Sequence, residues 1–598
     1  MLILRKFLQK IRELFGIDYR SLAVMRIGFA LILLVDLFIR SKSLIAHYTD
    51  FGFLPRSAIL IEMPQPWFVS LHMMSGVWQV QALLFILTAI FGIMLLFGYK
   101  TRLATILSWF LLISLHNRNP MILQGGDIML RTTLFWAMFL PWGKTYSVDE
   151  ALARSGGIKE KEEPSPIVFS AASIGFLLQV VFVYIFTVIL KSDPIWTKEG
   201  SAIYYTLSID QFTTPVGYLL YQFPGLMTIL SFYVYWFEKL GPALVFMPIF
   251  TQYLRLLGSF LFIIMHIGMG LALSLGPFPF VAMAAWLAFI PSLFWDKISR
   301  LFIRLAKPII IYYDGDCGFC LKSVHIIKTF FLLSKAELRP ASSDAVIFEQ
   351  MQHHNSWVLV DDSGQSSFSV EAFIVIVRSS PLFFWLSPVV NLAPLKFLGR
   401  YLYQLVASHR QRVCLPSLPL PRSFSFPFGR IIVSLFLSFV LFLVFFWNLA
   451  GTEYGKWWRP PDYFYRTAYL LRMDQYWNMF SPYPLREDGW YVMPGRLVNG
   501  QEVDLFRGGQ PVTYEKPQLV SSLYKDARWQ KYLMNLLEKR HSSYRGYYSQ
   551  YLCRHWNKNH QGNETLLSFE IIFMLEYTQL DYKTDPVKPV TLWRQNCF

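Results

Sequence analysis

The sequence predicts a membrane α-helical bundle of about eight spans plus one later span, with a small α/β domain inserted between them and an extramembrane α+β domain at the end. Three observations predict it. Of 598 residues, 54% are apolar and only 16% charged, against about 25% charged in ordinary soluble domains. Lys and Arg gather on alternate connecting segments between long apolar runs. From residue 308 the pattern changes to short strands alternating with helices. The net charge is +16, but the basic residues flank apolar runs rather than forming a Lys/Arg tract. A lipid bilayer is therefore the expected partner, and nucleic acid is not. The aromatic share of 17% excludes disorder and collagen, and five Cys exclude a disulfide scaffold.

In chain order, MLILRKFLQKIRELFG alternates apolar and basic groups at helical spacing and reads as an amphipathic helix on a membrane surface. No small-residue cleavage site follows, so a signal peptide is not expected. Apolar runs then recur at 21–39, 77–98, 103–116, 129–142, 167–190, 226–250, 256–275 and 277–295, several of them reaching a bilayer-spanning length. The polar stretch HNRNPMILQGGD between two short runs is expected to dip into a cavity. Arg5, Lys6, Arg102, Lys144, Lys297 and Arg300 fall on one side of this arrangement and only a few basic residues, such as Arg40 and Arg56, on the other. The positive-inside rule then places the amino terminus in the cytoplasm of a multi-pass inner (plasma) membrane protein. The expected units are a membrane domain at 1–300, an α/β domain at 308–415 on the cytoplasmic side, a transmembrane helix at 431–451, and an extracytoplasmic domain at 452–598.

YYDGDCGFC places Cys317 after a predicted strand and at the entrance to a helix, whose amino terminus stabilises a thiolate; Cys320 is close enough to form a disulfide with it. Asp314 and Asp316 act against the thiolate and are suited to tune the pair or carry a proton. The other reading of such spacing is half a zinc site. No second Cys or His pair follows at metal spacing, and His353 and His354 read as loop residues, so a redox-active dithiol is predicted and no metal. With a domain ending in YLYQLVASHRQRVC, this motif resembles the DCC family of thiol–disulfide oxidoreductases, named for an Asp-x-Asp-Cys-x-x-Cys pattern. The resemblance implies a thioredoxin-like fold, an attacking thiol at Cys317, a resolving thiol at Cys320, and a thiol or disulfide partner, protein or small molecule.

Ionisable groups inside apolar runs are costly and mark functional candidates. Lys191, Glu238 and His266 interrupt such runs, and Arg118, Asn119, Asp127 and Arg131 surround the third and fourth. Together they are expected to line one polar cavity. The alternative is structural: Lys191 snorkels, Glu238 pairs with a basic group such as Arg131, and His266 makes an interhelical bond. The order RNPMILQGGDIMLR, WGKTYSVD, FVYIFTVILKSDPIWTKEG and HIGMGLALSLGPFPFVAM resembles the HTTM family, the membrane region shared with vitamin K-dependent γ-carboxylase. That resemblance implies a general base at Lys191, a substrate-oxygen contact at His266, and a quinone or hydroquinone as lipid-soluble cofactor. It also admits a reading of another class, a membrane maturation or export factor for a secreted peptide. A transporter is disfavoured because no paired Gly/Pro-broken segments divide the chain into symmetric halves. Cys553 and Cys597 are a candidate disulfide on the oxidising side, and Cys414 is expected to be a free thiol.

Overall fold

The computed structural model describes residues 2–63, 69–156, 166–409, 427–457 and 460–598. Cys414 and the Pro/Ser-rich linker lie outside them. The membrane region runs α1 (Leu2–Phe15), α2 (Tyr19–Ser41), α3 (Trp78–Phe97), α4 (Thr101–Arg118), α5 (Gly125–Ala137), α6 (Val148–Ser155), α7 (Ala171–Leu190), α8 (Pro224–Val245), α9 (Thr251–Ala272), α10 (Phe278–Trp286) and α11 (Ser292–Leu305). After the dithiol domain comes the helix Pro427–Ala450. Among the described residues, five helices are long and apolar enough to cross a membrane, α2, α3, α7, α9 and Gly429–Ala450, and the bent pair Phe278–Phe289 and Ser292–Leu305 would make a sixth if it is one span.

Two of the expected runs take another shape than a straight crossing helix. The run at 129–142 forms α5, which has 13 residues and so extends about 20 Å at 1.5 Å per residue; protein surrounds it almost throughout. The run at 277–295 is not one straight helix. Phe278–Phe289 and Ser292–Leu305 meet at 88°, because Pro291 has no amide to donate and holds Ile290 extended. Basic and apolar residues alternate around α11, and none of its residues is buried.

Several of the bundle's polar groups serve helix ends. Arg255 of α9 donates to the carbonyls of Glu13, Leu14 and Gly16, at 3.2, 3.3 and 3.0 Å, satisfying the end of α1. Asp149 accepts from the amides of Lys100 and Thr101, at 2.8 Å each, where α4 begins. Gly98 ends α3 at φ 66°; a Cβ there would lie 2.3 Å from Nη1 of the buried Arg26, so only glycine fits this turn. Deeper in the bundle, the rings of Phe262 and Trp286 stack at 3.9 Å, joining α9 to α10.

The inserted domain has β1 (Ile309–Tyr313), α12 (Gly318–Phe330), β2 (Ala336–Pro340), α13 (Ala345–His354), β3 (Val358–Val360), β4 (Ser366–Phe368), α14 (Ser369–Ser379) and α15 (Ala393–His409). Its sheet order is β2-β1-β3-β4, with β1 parallel to β2 and the other pairs antiparallel. This βαβ unit followed by a helix, a hairpin and another helix is the connectivity of a thioredoxin-like sheet. The domain docks through α12 on α6, with Phe330 6.0 Å from Phe97.

The helix Pro427–Ala450, α16, packs on α7 through Phe445 and Phe182 and leads to the opposite end of the bundle. There β5 (Glu487–Val492), β6 (Pro494–Leu497), β7 (Glu502–Asp504), α17 (Ala527–Leu537), α18 (Tyr544–Asn559), β8 (Leu566–Tyr577) and β9 (Lys588–Asn596) form a sheet covered by helices. The long β8 pairs with β5, β6 and β9. This part shares its core with the segment after α2: Tyr48, Phe53 and Leu54 are buried among Tyr532, Tyr548 and Trp490. The core of the expected unit at 452–598 thus continues into the segment after α2.

Candidate dithiol site and the buried polar groups

Ile309, Ile311 and Tyr312 anchor β1 in the domain core, which fixes where the chain leaves the sheet. Asp314 then turns it: its carbonyl accepts from the Cys317 amide at 3.2 Å and its Oδ1 from the Asp316 amide at 3.1 Å. Cys317 caps α12, and its Sγ accepts from the Cys320 amide at 3.3 Å. A sulfur in this position faces the amide end of a helix, where negative charge is favoured. Neither cysteine is in a disulfide, and both are half-buried. The Asp314 carboxylate and both sulfurs lie within 4.8 Å of one another, so these are the residues that could hold a soft divalent cation. Asp316 is exposed.

Beside the pair is an apolar groove of about 520 Å³ between α12, α14 and α15, lined by Phe319, Cys320, Val370, Leu398 and Leu402 among others. No proline precedes β3. Ser356 and Trp357 stand there, and the Tyr403 hydroxyl on α15 accepts from the Trp357 amide at 3.3 Å and donates to Ser356 Oγ at 3.0 Å. Thus α15, outside the sheet, is tied to the strand that faces the dithiol.

The intramembrane candidates fall into separate sets rather than one cavity. Arg118 donates to the Leu54 carbonyl at 2.9 Å and Asn119 to the His47 carbonyl at 2.9 Å, bracing the segment after α2. Asp127 belongs to a buried quartet with Asp36, Arg40 and Arg528. Arg40 reaches Asp36 at 2.7 Å and Asp127 at 2.6 Å; Arg528 reaches Asp36 at 2.5 Å and also bonds Asp127. Lys191 Nζ lies 2.5 Å from Glu238 Oε2 and 4.1 Å from the Trp196 ring centroid. Glu238 is thus paired with Lys191 and not with Arg131, which reaches Asp474 at 2.8 Å. His266 meets the Tyr184 hydroxyl at 3.2 Å, and Trp286 donates to that hydroxyl at 2.7 Å, a chain across three helices. The cavities of about 890, 520 and 430 Å³ are lined by other residues than Lys191 and His266. Cys553 and Cys597 are joined by a disulfide.

Sequence reasoning missed Arg40, Asp36 and Arg528. The signal was present in the first apolar run, where Asp36 and Arg40 stand four apart, on one helix face. It also missed a carboxylate cluster at the end opposite the dithiol. Oxygens of Asp210, Asp488 and Glu576 lie within 4.8 Å of one another. Lys516 bridges Asp210, at 2.5 Å, and Glu576, so a cation there would have to displace its ammonium. Gln211 donates to Asp488 at 2.9 Å, Tyr524 donates to Gln211 at 3.0 Å, and Tyr218 donates to Asp210. Burial, reinforced by the Asp210 charge, pushes Asp488 up to about 7; burial also pushes Glu576 up. Lys516, whose ammonium is partly desolvated, is held above the usual range by Asp210 and Glu576.

A carboxylate raised in the folded state favours folding fully below its unfolded pKa, and that contribution is lost as pH rises through its folded pKa. The unfolding midpoint of the purified protein is therefore expected to fall between about pH 5 and about pH 8, most of the loss coming below about pH 7, where the carboxyl is ionised in the unfolded chain but still protonated in the folded one. Asp488→Asn should flatten that dependence. Thermal unfolding at the two pH values checks it, and an equally steep decline in the variant would contradict it.

A strand–turn–helix that presents two thiols at a helix amino terminus beside an apolar groove has the arrangement that thiol–disulfide exchange uses. Residues 311–415 match the family model of DCC1-like thiol-disulfide oxidoreductases. No curated protein and no solved structure matches the chain.

Proposed function

We propose that this chain is an integral membrane thiol–disulfide oxidoreductase in which Cys317 attacks and Cys320 resolves. The observation that carries the reading is the Cys317 sulfur capping α12 with Cys320 one turn on, within the segment that matches the DCC1-like model. The Cys317 thiolate attacks one sulfur of a substrate disulfide and the other sulfur leaves as a thiol. Cys320 then displaces the mixed disulfide, so the substrate is reduced to two thiols and Cys317–Cys320 is oxidised; the reverse sequence oxidises a substrate. Asp314, the nearest carboxylate, is the group to accept the Cys320 proton. The Lys/Arg distribution supports a cytoplasmic position for this domain in the inner membrane, and the disulfide Cys553–Cys597 supports an extracytoplasmic one for the far end.

The finer reading rests on the HTTM resemblance. The dithiol exchanges two electrons and two protons with an isoprenoid quinone, forming a hydroquinone, and Lys191, with Glu238 and His266 beside the same helix, handles protons in the membrane region. The test of the dithiol uses the full chain in lipid nanodiscs with a small water-soluble disulfide. Cys317→Ser should reduce exchange to the uncatalysed background, and Cys320→Ser should accumulate a mixed disulfide that non-reducing electrophoresis reveals. Undiminished exchange in Cys317→Ser would overturn the reading.

A second reading, a maturation or export factor for a secreted peptide, is favoured by a cavity of about 430 Å³ where the far end meets the bundle. It is lined by Tyr476, Phe480, Tyr483 and Lys531 among others, and burial holds the Lys531 ammonium below its usual range. Crosslinking from Tyr483 to secreted peptides would support it; the absence of any peptide adduct would count against it.

A further inference from the structure

The helix α15 presents an unusual surface. None of its residues is buried, and Leu395, Phe397, Tyr401 and Leu405 are exposed, with Phe397 77% exposed. Trp385 and Leu392 just before it are exposed as well. Among the described residues, the helix is held on the side where Tyr403 meets Ser356 and Arg400 meets Glu371 at 2.5 Å. Phe397, Tyr401 and Leu405 recur every four residues and so share one helix face, away from Leu395, Leu398 and Leu402, which line the groove; an exposed apolar face of this kind marks a contact with protein or membrane.

Two further observations select the occupant. Between Glu371 and Glu453 the sequence contains no Asp or Glu, while Arg378, Lys396, Arg400, Arg410, Arg412, Arg422 and Arg430 carry positive charge. A basic stretch of this kind beside a membrane span is attracted to anionic headgroups. The same stretch runs directly into Gly429–Ala450, a helix long and apolar enough to cross a membrane. The domain is thus tied to the membrane region at both of its ends, through α11 and through α16.

We propose that the apolar face of residues 382–405 docks on the anionic lipid surface of the leaflet in which α16 begins, with the aromatic and leucine side chains in the headgroup boundary and the positive charge of the acid-free stretch drawing the domain to that surface. An amphipathic helix binds an interface in this way, by combining buried apolar area with electrostatic attraction. Because α15 also forms one wall of the groove beside Cys320, docking holds the dithiol at the bilayer surface. The proposal stands on the surface of α15 and does not depend on the redox reading.

The test uses the full chain in phosphatidylcholine–phosphatidylglycerol vesicles. Cys317, Cys320 and Cys414 are replaced by Ser, and an environment-sensitive dye is attached at Phe397→Cys, at Leu405→Cys, or, as a control, at Gln352→Cys on the exposed side of α13. Dyes at 397 and 405 should be quenched severalfold more by lipids carrying shallow spin labels than the dye at 352, and shielded from aqueous iodide. Without phosphatidylglycerol the lipid quenching should fall. Iodide quenching at 397 equal to that at 352 would overturn the proposal. So would shielding from both quenchers, since a protein surface, such as a second copy of the chain, would then cover the helix. Quenching unchanged without the anionic lipid would overturn its electrostatic basis. Exchange with a water-soluble disulfide by the unlabelled chain, measured separately, reports only on the thiol chemistry.

Discussion

Arg528→Met is expected to loosen the far end of the molecule from the helical bundle. Arg528 extends from α17 into the bundle and bonds Asp36 at 2.5 Å together with Asp127, while Arg40 bonds the same two carboxylates from α2. All four groups are buried, and two positive and two negative charges make the quartet neutral. Removing one arginine leaves two buried carboxylates sharing a single cation. Breaking a buried ionic network by deleting one partner costs about 3–5 kcal/mol, a large part of the roughly 5–15 kcal/mol that holds a domain folded. The unfolding midpoint should drop sharply, and the segment from residue 484 to 526 should become sensitive to limited proteolysis. Replacing Asp36 with Asn in the same chain restores neutrality and should recover part of the loss. A variant that melts and resists protease like the parent would show that the quartet fastens nothing. This network also ties residues after 452 to the bundle: their arginine completes a charge balance begun in the first membrane helix.

The dithiol was legible in the sequence because every determinant is local: a strand of β-branched residues, a turn containing Asp and Gly, and two cysteines one helical turn apart. The longest spans were legible for a similar reason, since length and apolarity are properties of one segment. The rest depends on pairs that sequence distance hides. Glu238 lies near Arg131 in no sequence sense, yet its partner proved to be Lys191, whereas Arg131 is neutralised by Asp474, far along the chain. The short helix α5 looked like a span because its residues are apolar, but they are buried by other helices and not by lipid. Only the break at Pro291 could have been read locally, from the residue that cannot continue a helix.

Lys191 offers the sharpest separation of a functional from a structural charge. Its ammonium touches Glu238 at 2.5 Å and sits over Trp196 at 4.1 Å, and both charged side chains are buried. Such a pair would stabilise the bundle whether or not it handles protons. Lys191→Met alone leaves Glu238 without a counter-charge and should cost about 3–5 kcal/mol, so loss of activity in that variant would reveal nothing about chemistry. The double variant Lys191→Met with Glu238→Leu removes both charges at once. Apolar replacement of a buried ion pair is often neutral or stabilising, so its unfolding midpoint is expected to return to the parental value or above. Exchange by Cys317 and Cys320 with a soluble disulfide should then be unchanged, because that site lies in a different domain. If Lys191 is the base of a quinone reaction, quinone-dependent turnover stays absent in this stable double variant; if turnover returns with stability, the lysine serves only as the counter-ion of Glu238.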